Sequence, residues 1–156
     1  YDDRVVFPLY RDGKIIAAFG KSVNGAVPKW MNYNRQYHGA FITKVNDSRS
    51  HKPLVVVEDI LSAYTLEYDV GINSIALLGT NLTDENLLQL RDMSGIRNGI
   101  VICLDEDATQ KAITIKQSLE AATDYQVAIL PIVDDIKDMM ARQLDDLAET
   151  IRGIHG

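Results

Sequence analysis

Cysteine, long hydrophobic runs and an excess of basic charge are scarce or absent in this sequence. The single cysteine, Cys103, cannot form an internal disulfide bond, so we expect a reducing, cytoplasmic location. No apolar run reaches the roughly 18 residues that a membrane-spanning helix needs. The net charge of −6 argues against a free-standing nucleic-acid binder, although a metal-bearing core remains compatible with it.

The length of the chain, 156 residues, predicts one domain with a small appendage. An apolar content of 46% is ordinary for a globular protein with a hydrophobic core. The sequence starts without methionine and lacks a signal-peptide pattern. We therefore expect a fragment of a longer protein.

The pattern of predicted secondary structure changes near Pro53. Residues 1–52 predict a β-rich segment, with strands at 5–9, 14–19 and 40–43, a turn at 11–13 and an irregular stretch over 20–37. In residues 53–156, predicted strands alternate with predicted helices. The strands are at 54–57, 72–78, 99–104 and 126–130. The helices are near 59–69, after the N-cap Thr83, near 107–122 and near 135–152. Such alternation predicts an α/β fold with a parallel sheet and flanking helices.

Carboxylates follow three of the four predicted parallel strands. Glu58 ends the first strand, Asp105 and Asp107 end the third, and Asp135 and Asp138 follow the fourth. The carboxyl ends of parallel strands meet at one edge, and closely spaced carboxylates favour a bound cation. Oxygen ligands suit Mg²⁺ or Mn²⁺. If the first and third strands share a metal they are neighbours, which predicts the order 2-1-3-4. Helix capping is the competing explanation for each acid.

Three short segments of the second part of the sequence, in their order and spacing, resemble the motifs of the TOPRIM domain. They are Val57-Glu58, Leu78-Gly79-Thr80 and Leu104-Asp105-Glu106-Asp107. Bacterial-type primases, topoisomerases and some nucleases share that Rossmann-like domain, whose motifs are a Glu at one strand end and Asp-x-Asp at another.

The N-terminal part narrows the resemblance. Phe7-Pro8 and Pro28-Lys29-Trp30-Met31-Asn32 are similar to the segment that precedes TOPRIM in bacterial and phage DNA primases. The resemblance extends from about residue 4 to residue 140. A primase-type TOPRIM domain preceded by a small β subdomain is the fold that it implies.

Several positions depart from the family pattern. Asp59 stands where a glycine is usual, Lys21 replaces an arginine, and Ala108 and Gln110 replace an arginine and a glycine, while Lys111 keeps a basic residue. The sequence has neither a Cys/His cluster for zinc nor a glycine-rich phosphate loop for a helicase motor. A zinc-binding domain, and a helicase domain if the parent is a primase-helicase, would lie outside this chain.

The resemblance implies an enzyme of DNA replication, the catalytic core of a DNA primase. It would join nucleoside triphosphates into an RNA primer on a single-stranded DNA template, in the bacterial cytoplasm or, for a phage protein, that of the host. It assigns catalysis and metal binding to Glu58, Asp105 and Asp107. It adds Asp135 and Asp138 as metal ligands, and Lys21, Lys29 and Lys111 as contacts to nucleotide or template.

Two other functions remain open from the sequence. A TOPRIM nuclease would use the same acids to hydrolyse a phosphodiester, with water as nucleophile. A non-catalytic α/β interaction module would keep the acids only as helix caps, which the acidic net charge favours somewhat. A type IA topoisomerase is a poorer match because none of the seven tyrosines has a recognisable nucleophile context.

Overall fold

A computed structural model describes residues 3–42, 52–79, 81–92 and 98–154 of the chain. Internal contacts divide the protein into two units, Tyr1–His38 and Gly39–Gly156. This division falls earlier than the predicted boundary after residue 52. The reason is that Phe41 and Ile42 pair with a strand of the second unit.

The first unit contains an antiparallel sheet of three strands in the order β1-β2-β3. The strands are β1 (Arg4–Arg11), β2 (Lys14–Ser22) and β3 (Trp30–Asn32). Asp12 and Gly13 join β1 to β2 with φ angles of 51° and 75°, the left-handed pair that a tight hairpin requires. The predicted hairpin is confirmed. The prediction of an irregular stretch over 20–37 missed β3, whose three residues are too few to show an alternating pattern.

The second unit contains a five-stranded sheet in the order β4-β6-β5-β7-β8. Its strands are β4 (Phe41–Ile42), β5 (Leu54–Val57), β6 (Ser74–Ala76), β7 (Ile100–Ile102) and β8 (Val127–Ile129). The last four are parallel to one another, and β4 adds an antiparallel edge. The predicted order 2-1-3-4 and the α/β fold class are therefore confirmed. The continuous apolar runs arise because β5 and β7 are buried along their whole length.

The described residues of the second unit form four α-helices. They are α1 (Ile60–Thr65), α2 (Asp84–Asp92), α3 (Thr109–Ala122) and α4 (Ala141–Ile154). α1 continues into a π-helical turn, Leu66–Val70, that ends at Gly71 in the left-handed conformation. The predicted N-cap of α2 is confirmed, because the Thr83 hydroxyl accepts a hydrogen bond from the Asn86 amide at 3.1 Å.

The predicted start of the last helix at residue 135 is wrong. Residues Ile136–Asp138 form a separate 3₁₀ turn, Met139 is extended, and α4 begins only at Ala141. The side chain of Ile136 is fully buried and anchors the turn. The 3₁₀ turn Glu106–Ala108 likewise precedes α3. Within the described ranges, no helix has the length and apolar character needed to cross a membrane.

Candidate metal centre

The predicted acids lie at the carboxyl edge of the second sheet, where its strand order reverses. β5 and β7 are parallel neighbours, with Val56 level with Ile102. Glu58 leaves the sheet one residue after β5, and Asp105 leaves it just beyond β7. Because β6 lies on one side of β5 and β7 on the other, this edge is the crevice where open α/β sheets bind ligands.

The Glu58 carboxylate is held by two other parts of the chain. One oxygen, Oε1, accepts a hydrogen bond from the Gly79 amide at 2.7 Å. The Lys111 ammonium on α3 donates to Oε2 at 3.0 Å and to Oε1 at 3.3 Å. The backbone bends sharply at Leu78 and Gly79, where φ reaches 59° and 75°, and the Leu78 amide donates to the Glu58 carbonyl at 2.9 Å. A positive φ is uncommon for leucine. This unusual backbone conformation accompanies the contacts of the turn with Glu58.

Asp105 faces an open cavity of about 510 Å³. The residues that line it are Asp105, Val133, Asp134, Asp135, Asp138 and Gln143. Neither Glu58 nor Asp107 belongs to this lining. The structure thus groups Asp105 with the two acids predicted after the fourth strand, and it groups Glu58 with Lys111.

Backbone pairing brings the two sides of this acidic cavity together. The Ile132 amide donates to the Leu104 carbonyl at 3.0 Å, and the Glu106 amide donates to the Ile132 carbonyl at 3.1 Å. Asp105 lies between these bonds and bridges to Ile132 in parallel register. The ladder between β7 and β8 therefore continues past both strands and fixes Asp105 beside the turn that carries Asp135 and Asp138.

Helix capping accounts for Asp59 but not for the acids of the cavity. Asp59 accepts from the Ser62 amide and from the Ser62 hydroxyl, both at 2.9 Å, and so caps α1. Asp105 and Asp135 each begin a 3₁₀ turn without a capping hydrogen bond from the side chain. The start of α3, just after Asp107, is likewise not capped by a side chain. Helix capping therefore does not explain these exposed carboxylates.

The cavity acids form the donor set that a hard divalent cation prefers. All four are carboxylates, and no described residue forms a hydrogen bond or ion pair with the side chains of Asp105 and Asp138. Asp134 accepts from the Gln143 amide at 3.3 Å, and Asp135 lies 3.8 Å from the Lys137 ammonium. Among the described residues, no three acids, histidines or cysteines are already arranged around one ion position. The convergence of Glu58, Asp105 and Asp107 on a single metal stays a prediction.

Two of the three predicted lysine contacts lie in the first unit. Lys21 on β2 is paired with Trp30 of β3. Lys29 is exposed, and its carbonyl accepts from the Ser22 amide at 2.9 Å. Trp30 packs against Phe7, with the ring centroids 5.9 Å apart, so the tryptophan has a structural role in this sheet.

Cys103 is buried just after β7, two residues before Asp105. Burial raises the pKa of its thiol to about 12, so it stays protonated near neutral pH. A protonated, buried thiol is a poor nucleophile and a poor metal ligand. The carboxylates, and not this thiol, are therefore the candidate metal ligands at this edge.

The sequence does not identify three residues of the site, which are Gly79, Lys137 and Gln143. Gly79 lies in the Leu-Gly-Thr segment, where nothing local indicates a contact to Glu58. Nothing in the local sequence indicates that Gln143 reaches back to Asp134, because that contact depends on where α4 starts.

Comparisons with known proteins place the chain in a family. The Toprim-like family matches residues 56–140. The DNA primase of Campylobacter jejuni is 28% identical over 152 residues, which cover 89% of this chain and 24% of that protein. The DNA primase of Buchnera aphidicola is also 28% identical, over 86% of this chain and 25% of that protein. The chain thus spans about a quarter of the length of the curated relatives it matches.

A solved structure supports the fold. The catalytic domain of the DnaG primase, bound to single-stranded DNA, has a TM-score of 0.70 and 22% identity over 96% of this chain and 50% of that chain. At this identity the likeness supports the fold and not the activity. Since the family match covers more than half of the sequence and contains both acidic strand ends, this chain belongs to the Toprim-like family.

Proposed function

We propose that this chain is part of the catalytic core of a DNA primase, which joins nucleoside triphosphates into an RNA primer on a single-stranded DNA template. Mg²⁺ or Mn²⁺ is the proposed cofactor, and further domains of the parent, including a zinc-binding domain, are proposed partners. A helicase domain and the cytoplasmic location stay predictions.

The observation that carries this proposal is the extent of the similarity to bacterial DNA primases. The Toprim-like match begins at residue 56. An alignment that covers 89% of the chain must also include most of the segment before that residue. A nuclease that shares only the TOPRIM domain would not require this N-terminal match. The similarity therefore favours primer synthesis over phosphodiester hydrolysis.

The acids at the sheet edge support a metal-dependent reaction. Asp105, Asp135 and Asp138 offer carboxylate oxygen donors around one cavity. A divalent ion held there would supply charge neutralisation at the triphosphate and would activate the attacking hydroxyl. Glu58 is oriented by Gly79 and Lys111, and Asp107 extends the acidic edge from the 3₁₀ turn before α3. Lys21 and Lys29 are proposed contacts to template or nucleotide phosphate.

Primer synthesis by the full-length protein that contains this chain tests the proposal. Replacing Asp105 and Asp107 together by asparagine is expected to abolish incorporation of labelled ribonucleotides on single-stranded DNA. The matched control replaces Asp145 and Asp146, two exposed neighbouring acids of α4, in the same way and is expected to keep activity. Undiminished synthesis in the Asp105 and Asp107 variant would refute the mechanism.

Two further outcomes would favour the alternatives. Metal-dependent cleavage of DNA in the absence of nucleotides would favour the nuclease. A complete lack of Mn²⁺ binding by calorimetry, together with no thermal shift, would favour a non-catalytic interaction module.

A further inference from the structure

Glu58 differs from the other predicted metal ligands because a cation already lies against its carboxylate. The Lys111 ammonium contacts both carboxylate oxygens, at 3.0 Å and 3.3 Å. By contrast, no described residue pairs with the side chains of Asp105, Asp107 or Asp138. Only Asp135 also has a lysine nearby, at the longer distance of 3.8 Å.

The contact between Lys111 and Glu58 joins two separate elements. Glu58 follows β5, whereas Lys111 lies in the first turn of α3, 53 residues later. The Gly79 amide fixes the same carboxylate from a third direction. Glu58 is therefore already oriented and already neutralised without any bound ion.

We infer that Lys111 is an internal counter-ion that competes with a divalent metal ion for the Glu58 carboxylate. Two cations near one carboxylate repel each other, so the occupant already present weakens the binding of the second. Both side chains are partly exposed, 26% for Lys111 and 47% for Glu58. An exposed pair of this kind is weak, so a divalent ion is able to displace the lysine reversibly.

The exchange gives Lys111 two positions with different partners. Without metal it holds Glu58 in place, and once displaced its ammonium is available to a phosphate group at the same edge of the sheet. Lys111 is thus a positioning residue for Glu58. This inference rests on the proposed metal-dependent function, although it concerns the lysine and not the reaction.

Titration with Mn²⁺, followed by calorimetry, tests the competition. The Lys111→Met variant keeps the length of the side chain and removes its charge. It is expected to bind Mn²⁺ up to about fivefold more tightly than the natural chain, which is the upper end of what an exposed ion pair contributes. The matched control is Lys116→Met on the same helix, whose lysine donates to the Val127 carbonyl and pairs with Glu120. This control is expected to leave the affinity unchanged.

A double-mutant cycle separates the competition at Glu58 from the general loss of a positive charge. In a Glu58→Gln background, Lys111→Met is expected to change Mn²⁺ affinity much less, because the shared partner has lost its charge. An equal change in both backgrounds would overturn the inference. So would unchanged or weaker Mn²⁺ binding by Lys111→Met alone, even if primer synthesis confirmed the proposed function.

A second measurement follows the lysine itself. If Mn²⁺ displaces Lys111 from Glu58, acetylation of Lys111 by a short pulse of acetic anhydride should increase at saturating Mn²⁺, as quantified by mass spectrometry. Lys116 serves as the internal reference. A decrease or no change in the labelling of Lys111 would contradict the exchange, whereas primer synthesis without any metal would instead refute the proposed function.

Discussion

Replacing Gly79 by alanine separates the stability of the turn after β6 from its role at Glu58. Gly79 has a φ of 75°, and an added Cβ would meet no atom within 4 Å. The cost is therefore backbone strain and not a clash. A left-handed alanine costs about 1–2 kcal/mol, partly offset by the lower entropy of its unfolded chain. We expect a net loss of about 1 kcal/mol, or a lower melting temperature by about 2–4 °C.

Gly13→Ala is a matched control for this substitution. Gly13 also has a φ of 75° and open space around it, but it lies in the hairpin of the first unit. Both variants should lose similar free energy of unfolding in urea, measured on the transition of the unit that carries the substitution. Only Gly79→Ala should also slow primer synthesis by the full-length protein. Relaxation of the strained turn would move the Gly79 amide away from Glu58, and a lost hydrogen bond to a charged group corresponds to about tenfold or more.

Asparagine provides a rescue because it enters the left-handed region more easily than alanine. Gly79→Asn should therefore recover at least half of the lost stability and of the lost rate. The reasoning about Glu58 fails if Gly79→Ala loses stability but synthesises primers at the natural rate. The reasoning about strain fails if Gly79→Ala is as stable as the natural chain.

Three further predictions concern neighbouring features. Burial raises the pKa of Cys103 to about 12, so above pH 9 the folded state keeps a proton that the unfolded state releases. The natural chain should therefore exceed Cys103→Ala in unfolding free energy by a constant amount below pH 9. In urea unfolding, this difference should shrink by up to about 1.4 kcal/mol per pH unit between pH 9 and 12. Parallel pH curves would contradict this. Asp59→Ala should lose about 1 kcal/mol of unfolding free energy with the cap on Ser62, and Asp59→Asn should lose less. Equal losses in the two variants would contradict capping as the role of Asp59. Gly20→Ala would place a Cβ 2.7 Å from the Tyr33 hydroxyl, so it should destabilise the first unit, whereas Gly20→Ala combined with Tyr33→Ala should be tolerated better; equal losses would argue against this contact.

The parallel sheet was predictable because its central strands are buried on both faces. Burial of this kind requires uninterrupted apolar runs, such as Leu54–Val57 and Ile100–Leu104, and runs of this length stand out in the sequence. The strand order followed from the position of the acids, because residues that share an edge at a switch point belong to neighbouring strands. The positions of the acids therefore predicted the strand order, which the hydrophobic pattern alone does not determine.

The elements that were missed depend on tertiary contacts. β3 has only three residues and is defined by its pairing with β2, and the start of α4 is shifted because the buried side chain of Ile136 fixes a separate turn before it. The grouping of the acids was only partly predicted. Sequence spacing predicts that Asp105 and Asp107 act together, which stays a prediction, and the bridge to Ile132 places Asp105 beside the acids after β8.

The contact between Lys111 and Glu58 had no local signal at all. The sequence predicts that this lysine lies on the helix beside the acids and contacts nucleotide or template. Whether its side chain reaches Glu58 depends on how α3 packs on the core, which is decided by its buried apolar residues, such as Ala112 and Ile115. Long-range pairs of this kind require the assembled fold.

The backbone bonds that continue the ladder from β7 to β8 have a consequence for folding. The acidic cavity joins both ends of one crossover, since Asp105 precedes α3 and Asp135 and Asp138 follow β8. Those ends are far apart in an unfolded chain, so the cavity exists only after the crossover has formed. Any cation that binds there therefore stabilises the folded crossover by mass action. The gain in unfolding free energy increases with the concentration of the cation. The same acids, without a cation, repel one another and weaken the segment that carries them.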